Sequence, residues 1–533
     1  LTNGALVNLA LPLKRAISLW PDKEAAVDGQ KRFTYKEIGQ RVAALTHAIT
    51  NLGLSRGDVV AVLAPNCVEY LELYFAAACL GVVLCPLNYR LAAAEVEEIL
   101  HHSESKLLVG HTDFATLASQ ATERPGKLKM IAWLGPGEKP DNVIKSVRYE
   151  QFLVSQWGKS LIDNQVSGDS LAQLYYTSGT TGQAKGVMLS HDNVASNALG
   201  AIAEFAMNDS EVWAHFAPMF HLVDAWAVFS ITWVGGKHVF HPHFKADEVL
   251  PLMESEGVTL TALVPTMITA LVNSSTVWEY SYKCLRAMLT AGSPIAPEIV
   301  KQIQEVFSCI YVQFYGMTET SPFLTVSLPK AEHLSFPKHE LVEIRAKTGR
   351  PFIGVELRVI DENGTNVVQD GKSVGEIIAR GPNVTSGYWK NPEATAAALK
   401  DGWMFTGDLA VVDQWGYVNI VDRKKDMIIT GGENVYCTEV EYVLHEHPAV
   451  LEVAVFGVPD ERWGEAVHAS IVLRPGTKVR EEDLTTFVRE RLAHYKTPRQ
   501  WEFLSEMPRT GSGKIYKKGM RDRYWKGHQK QVN

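Results

Sequence analysis

Signatures of metal cages and disulfide frameworks are missing. The six cysteines, Cys67, Cys79, Cys85, Cys284, Cys309 and Cys437, are scattered and none forms a CxxC pair, which argues for a reducing compartment and against structural zinc. Long apolar runs are also missing: none reaches the roughly 18 residues of a membrane-spanning helix, so no transmembrane segment is expected. The opening stretch, LTNGALVNLALPLKRAISLW, is interrupted by Pro12, Lys14 and Arg15 and reads as an amphipathic first helix rather than a secretory signal. The first residue is Leu, so an upstream address is expected to lie outside this sequence, and the closing QVN differs from the peroxisomal SKL tripeptide. The expected location is the cytoplasm or an organelle matrix. A basic stripe is absent as well. With 52 Lys and Arg against 60 Asp and Glu, net charge −8, and both signs mixed throughout, nucleic acid is not an expected partner. No internal repeat or low-complexity tract occurs.

What the sequence does have is length and α/β alternation. A chain of 533 residues exceeds one core and should form two or more domains. Residues 41–52 and 70–80 have helical periodicity, while 58–63 and 81–84 read as short apolar strands. Further helices are expected over 194–205 and 246–256. Such alternation points to largely parallel sheets buried on both faces. Residues 125–144, rich in Pro, Gly and Lys, read as a surface connection. Over 349–422 short strands are separated by turns such as Asn363-Gly364 and Asp370-Gly371, the texture of a small β-barrel or sheet. After Arg423-Lys424-Lys425-Asp426 the pattern becomes compact α+β, and a boundary is expected there: a domain of residues 1–422, a hinge at 423–426, and a domain of 427–533.

The most informative stretch is 176–186, YTSGTTGQAKG, in which seven of eleven residues are Ser, Thr or Gly. Apolar stretches at 171–175 and 187–189 flank it. This describes a loop between two strands, rich in hydroxyls and backbone N–H groups, with a cation at Lys185. It suits a polyphosphate. It is not a Walker A loop, because the spacing differs and a strand pattern follows the lysine where a P-loop needs a helix.

A second stretch, QFYGMTET at 313–320, follows an apolar strand and so lies at a strand's carboxyl end, where open α/β sheets bind ligands. Tyr315 offers an aromatic plane to a base, Thr318 a hydroxyl to a phosphate, and Glu319 a carboxylate to magnesium, which on a nucleotide takes one or two protein carboxylates. Asp408, in FTGD, suits ribose hydroxyls, with a cation nearby at Arg423. Lys514 closes a second Gly/Ser loop, TGSGKI, and two such loops far apart in sequence suggest a phosphate site closed by domain movement. The histidines of HVFHPH, His238, His241 and His243, are interrupted by Pro242 and read as strand end and turn, not as metal ligands.

Together YTSGTTGQAKGV, QFYGMTET, TGD, VDRKKDMIITGGENVY and PRTGSGKI resemble the adenylate-forming acyl-CoA synthetases, a family that includes luciferase-like enzymes and peptide-synthetase adenylation domains. The resemblance runs from FTYKEI at 33–38 to Lys514. It implies a large N-terminal domain of two α/β sheets plus a β-barrel, a small mobile α+β C-terminal domain, and ATP, Mg2+ and coenzyme A as cofactors or co-substrates. The implied reaction is acyl-CoA formation through acyl-AMP, with release of pyrophosphate and AMP. By the same resemblance, Thr177, Ser178, Gly179, Thr180, Thr181 and Lys185 hold the β- and γ-phosphates. Tyr315 packs on adenine near Gly292 and Ser293, Thr318 contacts phosphate, Glu319 binds Mg2+, and Asp408 with Arg423 takes the ribose. Lys514 bridges carboxylate and α-phosphate, Lys425 is the hinge, Gly431 and Gly432 line the pantetheine channel, and His221 lies between acyl pocket and CoA tunnel. The resemblance leaves room for a homodimer.

The acid is written less clearly. Acetate-specific relatives close the pocket with tryptophan where this chain has Gly316, so a pocket larger than acetate is expected. Phe314 adds bulk. Asp224, three residues after His221, is expected near the pocket, where it would disfavour dicarboxylic acids or favour a hydroxyl or amine; a carboxylate turned to solvent or a salt bridge is the alternative. Val223, Trp226, Phe229 and Val264 fit fatty or aromatic groups, and a medium-chain or aryl monocarboxylate is expected. Cys437 stands where the family commonly has proline and should loosen the backbone after Gly432. The alternatives are transfer to a carrier protein and luciferase-like oxidation. The 19 residues after Lys514 are too few for a carrier domain, which favours free CoA.

Overall fold

The structure, a computed structural model, describes residues 8–124, 126–140, 144–178, 184–292, 295, 297–509 and 515–526. The chain divides into two compact units, Leu1–Glu356 with Ala379–Met404, and Leu357–Ile378 with Phe405–Asn533. The second unit therefore begins before the 423–426 segment and takes those residues in with 427–533.

The first unit contains two α/β sheets. In the seven-stranded sheet the order is Ser146–Arg148, Met130–Leu134, Ser105–His111, Val59–Leu63, Val83–Pro86, Leu171–Ser178 and Ala184–Ser190. All neighbours are parallel except the last pair, an antiparallel hairpin. The nine-stranded sheet runs Arg350–Pro351, Phe323–Val326, Ile310–Gly316, Ala287–Thr290, Leu260–Leu263, Val212–His215, Lys237–Phe240, Glu24–Asp28 and Lys31–Thr34. Its strands from Ile310–Gly316 to Glu24–Asp28 are parallel, and antiparallel partners close both edges. The central parallel strands, such as Val59–Leu63, Val83–Pro86 and Leu260–Leu263, are buried along their whole length because both faces are covered.

One helix explains how the sheets share a core. Val68–Leu80 is buried on every side, as expected of a helix apolar all round, and its cluster includes residues of both sheets, such as Val60, Leu84, Ala26 and Phe240. The expected helix over 41–52 is longer, Tyr35–Asn51, because Thr34 and Glu37 form a capping box that starts it early. Residues 125–144 differ from expectation. They contain the fully buried strand Met130–Leu134, whose five apolar residues outweigh the turn-forming flanks. The amphipathic first helix is Leu11–Leu19, with Leu13 and Ala16 inward.

The strands Glu356–Ile360, Gly375–Arg380, Leu399–Lys400, Trp403–Val412 and Val418–Arg423 form a five-stranded sheet. In the second unit a further sheet is built on the long antiparallel pair Val450–Asp460 and Gly464–Leu473, packed on the helices Cys437–His445 and Glu481–Arg489. Among the described residues no helix is long and apolar enough to cross a membrane.

Candidate active site

Topology brings the chemistry-bearing residues of the first unit together. Val212–His215, Leu260–Leu263, Ala287–Thr290 and Ile310–Gly316 are parallel neighbours, so the segments that leave their carboxyl ends emerge on one edge. Those segments carry His221, Val264, Gly292, and the run from Tyr315 to Glu319. Period-two alternation separates the two aromatic neighbours: Phe314 is 2 % exposed in an apolar cluster, and Tyr315 on the opposite face is half-buried. A tight turn then places Thr318 and Glu319 in the short helix Thr318–Thr320.

Glu319 is buried, and its Oε1 accepts a hydrogen bond from the Tyr388 hydroxyl at 2.8 Å. The face of the same ring carries the Lys185 ammonium, 5.2 Å from its centroid. Lys185 is opposite Thr177 on the Leu171–Ser178 and Ala184–Ser190 hairpin. Residues 382–391 act as a strap between the hairpin and the Glu319 turn. Trp389 N–H donates to the Gly186 carbonyl (2.7 Å), Met188 N–H to the Gly387 carbonyl (3.1 Å) and Thr385 N–H to the Glu319 carbonyl (2.8 Å). Asn193 and Asn383 hold the strap through bonds from their side-chain amides to the carbonyls of Pro382 and Val384, and of Thr320 and Phe323. Beside the loop end of the hairpin, Glu98, His102, Tyr176, Lys185 and Trp389 line a cavity of about 90 Å³.

The apolar side of the site is filled by rings. Phe314 packs on Phe323 (centroids 4.4 Å apart), which meets Trp226 at 4.9 Å and Phe352 at 4.8 Å, and Val223 and Val264 belong to the same cluster. Phe229 falls in the neighbouring cluster around Val68–Leu80. His221 caps the short helix Leu222–Ala225, its Nδ1 accepting from Val223 N–H at 3.2 Å, so the neutral ring carries its proton on Nε2.

Asp224 is fully buried and does not face a ligand space. Oδ1 accepts from Trp213 Nε1 at 3.2 Å, and Oδ2 lies 2.5 Å from His215 Nδ1. The chain continues from His215 Nε2 to His238 Nδ1 (3.0 Å) and from His238 Nε2 to Thr232 Oγ1 (2.9 Å). The salt-bridge alternative therefore describes this carboxylate. Burial pushes the Asp224 carboxyl up against the pull of His215, and burial holds His238 well below the usual histidine range. His241 and His243 are in the turn after the Lys237–Phe240 strand, with His241 Nδ1 2.7 Å from the His243 carbonyl.

Gly316 has a structural reason of its own: a Cβ there would be 1.6 Å from the Pro322 carbonyl oxygen. No side chain fits, so its lack of one does not by itself report a roomy pocket.

In the second unit, Asp408 and Arg423 are cross-strand partners, with Arg423 Nε 3.5 Å from Asp408 Oδ1. Lys425 is in the turn between Val418–Arg423 and Ile428–Thr430. Gly431 and Gly432 form the two-residue turn between Ile428–Thr430 and Glu433–Val435, with φ of +61° and +85°, the left-handed values such hairpins require. Cys437 corrects an expectation. It opens the helix Cys437–His445, and its N–H donates to Asp422 Oδ2 at 2.6 Å while its buried thiol donates to the Asp426 carbonyl. Proline would pre-set the same helix start but has no N–H to give, so cysteine replaces stiffness with a bond rather than loosening the backbone.

Comparison with known proteins fits this arrangement. Residues 13–389 match the AMP-binding enzyme family, and residues 439–514 match the AMP-binding enzyme C-terminal domain. The chain belongs to the AMP-forming acyl-CoA synthetases of the adenylate-forming superfamily. Two relatives of the synthetase are 4-hydroxybutyrate–CoA ligase 2 of Metallosphaera sedula, 36% identical over 96% of this chain and 93% of that one, and feruloyl-CoA synthase of an Amycolatopsis species, 36% identical over 96% and 98%. Among solved structures, ATP-bound MatB from Rhodopseudomonas palustris superposes with a TM-score of 0.84 at 30% identity, covering 97% of the synthetase and 99% of MatB. The synthetase is accordingly an acid–CoA ligase that works through an adenylate.

Of the site residues expected from sequence, Gly179, Thr180, Thr181, Ser293 and Lys514 lie outside the described residues, as does the side chain of Ser178. The synthetase's strap, with Tyr388, leaves little trace in the sequence. GPNVTSGYWKNP resembles an ordinary loop running into a proline-started helix, and the one cue was an aromatic pair set among Gly, Ser and Asn.

Proposed function

We propose that this chain joins a medium-chain fatty or aryl monocarboxylate to coenzyme A in two steps. First the acid's carboxylate oxygen attacks the α-phosphorus of ATP, breaking the bond to pyrophosphate and leaving acyl-AMP. Then the thiol sulfur of CoA attacks the acyl carbon, AMP leaves with the electron pair of the C–O bond, and the thiol proton is lost. The observation that carries this reading is the strap-held arrangement of Lys185, Tyr388 and Glu319 beside the strand ends bearing Gly292 and Tyr315.

In this reading Thr177, Ser178, Gly179, Thr180, Thr181 and Lys185 take the β- and γ-phosphates, where cations and N–H donors offset the repulsion between two anions. Tyr315, Gly292 and Ser293 take the adenine, Thr318 a phosphate oxygen, and Asp408 with Arg423 the ribose. Lys514 bridges the carboxylate and the α-phosphate, Lys425 is the hinge, Gly431 and Gly432 border the pantetheine, and His221 borders the acyl group. The boundaries at 1–422, 423–426 and 427–533 belong to the same proposal. Glu319 fits a nucleotide-bound magnesium. Among the described residues no three His, Cys, Asp or Glu side chains gather as a cage, and a magnesium shared with phosphates needs only one or two carboxylates beside its waters. When bound, it would supply positive charge to the phosphates.

For the acid, the rings of Phe314, Phe323 and Trp226 supply an apolar wall, and Asp224 is engaged by His215 and Trp213 instead of facing it. That favours compact monocarboxylates, in keeping with relatives named for 4-hydroxybutyrate and feruloyl substrates. Pyrophosphate release measured over a panel of acids, with and without CoA, tests the proposal. Acid-dependent release with CoA-dependent thioester formation is expected; continuous AMP turnover without CoA, or acyl transfer only to a carrier protein, would overturn the CoA reading.

A further inference from the structure

Tyr388 touches both halves of the phosphate chemistry, yet neither needs it for charge. Its hydroxyl donates to Glu319 Oε1 at 2.8 Å, and the face of its ring holds Lys185 Nζ at 5.2 Å. Its backbone forms a bridge to Val187, one residue beyond Gly186 on the same hairpin. The neighbouring backbone bonds, from Thr385 N–H to the Glu319 carbonyl and from Trp389 N–H to the Gly186 carbonyl, fix the distance between carboxylate and lysine. A side chain so placed holds one carboxylate oxygen by a hydrogen bond and draws the ammonium to its ring face by cation–π attraction.

We propose that Tyr388 is a positioning residue that presets the magnesium carboxylate of Glu319 and the phosphate-binding lysine, Lys185, in one geometry. The proposal rests on the reading of Glu319 and Lys185 given above. Its two contacts separate by substitution: Tyr388→Phe removes the hydroxyl and keeps the ring, whereas Tyr388→Leu removes both.

The experiment is calorimetric binding of a non-hydrolysable ATP analogue to the full chain, titrated over Mg2+ concentration, for wild type, Tyr388→Phe, Tyr388→Leu, Glu319→Gln and the Tyr388→Phe/Glu319→Gln double variant. Hydrogen bonds to charged groups are the stronger class, so Tyr388→Phe should raise the Mg2+ concentration for half-maximal binding about tenfold, with analogue affinity at saturating Mg2+ within about threefold of wild type. Tyr388→Leu should lower that saturating affinity as well, because only it removes the ring under Lys185. In the Glu319→Gln background Tyr388→Phe should have no further effect on Mg2+ dependence, a non-additivity that a general loss of packing does not produce. Wild-type Mg2+ dependence in Tyr388→Phe beside a shifted Glu319→Gln overturns the Tyr388 proposal alone. An unshifted Glu319→Gln removes the magnesium reading itself, and the proposal with it. Should Tyr388→Leu unfold, shown by a collapsed melting curve, the Phe variant and the double variant still decide.

Discussion

At the scale of single residues, two side chains carry distinct predictions. Phe314 is the ring against which the proposed acyl wall is built. Phe314→Gly empties that volume, so kcat/KM for acids longer by one or two methylenes, or para-substituted on a ring, should rise relative to short acids by roughly tenfold or more, since one methylene in an apolar pocket is worth about 10–200-fold. An unchanged profile in a folded variant would take Phe314 out of the pocket. Asp422 carries a pH prediction. Burial raises its carboxyl from 3.8 to about 6, against the pull of Lys517 and of the N–H groups of Cys437 and Arg423. Between these values the folded chain keeps a proton that the unfolded chain has released. Its contribution to stability is therefore present at the acid end and is lost as pH rises through about 6, up to roughly 3 kcal/mol at about 1.4 kcal/mol per unit. Hydrogen exchange of the Cys437–His445 helix, corrected for intrinsic rates, should show protection falling over this window in wild type and flat in Asp422→Asn. The placement of Tyr315, Glu319 and Lys185 is legible in the sequence, in short polar stretches at strand ends. Asp224 is open to two readings in the sequence because its partners, Trp213 and His215, lie on a strand that only the folded sheet brings beside it. Gly316 reads in the sequence only as a sign of a larger pocket, because the Pro322 carbonyl that forbids a side chain there comes from a turn geometry no spacing rule describes.

At the scale of elements, the large unit depends on a polar cluster linking three helices. Arg41, on Tyr35–Asn51, bonds Glu72 on Val68–Leu80 at 2.5 Å and Glu150 on Tyr149–Val154 at 2.6 Å, and the Tyr149 hydroxyl donates to Glu72 at 2.8 Å. Glu72 is wholly buried, and burial raises its carboxyl to about 7 even with Arg41 beside it. Arg41→Ala leaves this carboxylate without its cation, a change expected to cost about 3–5 kcal/mol, whereas Arg41→Met with Glu72→Leu should restore most of the loss by replacing the pair with apolar volume. The first unit's urea transition measures both; equal destabilisation by the single and the double variant would contradict the account. Element types followed from sequence wherever an apolar period ran long enough, as in Tyr35–Asn51 and Val68–Leu80. They failed at Met130–Leu134, where five apolar residues were outvoted by neighbouring turn formers, and at the 382–391 strap, whose role lies in backbone bonds to two distant elements and leaves almost no trace in residue type.

At the scale of the whole molecule, the proposed chemistry makes conflicting demands on one carbonyl. Adenylation needs a cation spanning the acid's carboxylate and the α-phosphate, and thiol attack needs that approach open. A lysine that serves the first step must leave before the second, and the proposed mobile segment, residues 427–533, carries both Lys514 and the Gly431-Gly432 turn assigned to pantetheine. Rotation about Lys425 would exchange one for the other. Lys514→Ala should therefore lower acyl-AMP formation by about 10²–10³-fold, the usual loss for one preorganised charge donor, while thioester formation from supplied acyl-AMP and CoA stays near wild type. Lys425→Pro should give the opposite partition, because proline fixes φ where rotation must change it: pyrophosphate release persists and thioester formation from supplied acyl-AMP falls. Rapid-quench measurement of the two half-reactions separates these outcomes. Equal loss of both half-reactions in Lys514→Ala would mean that Lys514 does not act in the first step alone, and equal retention in Lys425→Pro would mean that the turn at 424–426 is not where the chain moves.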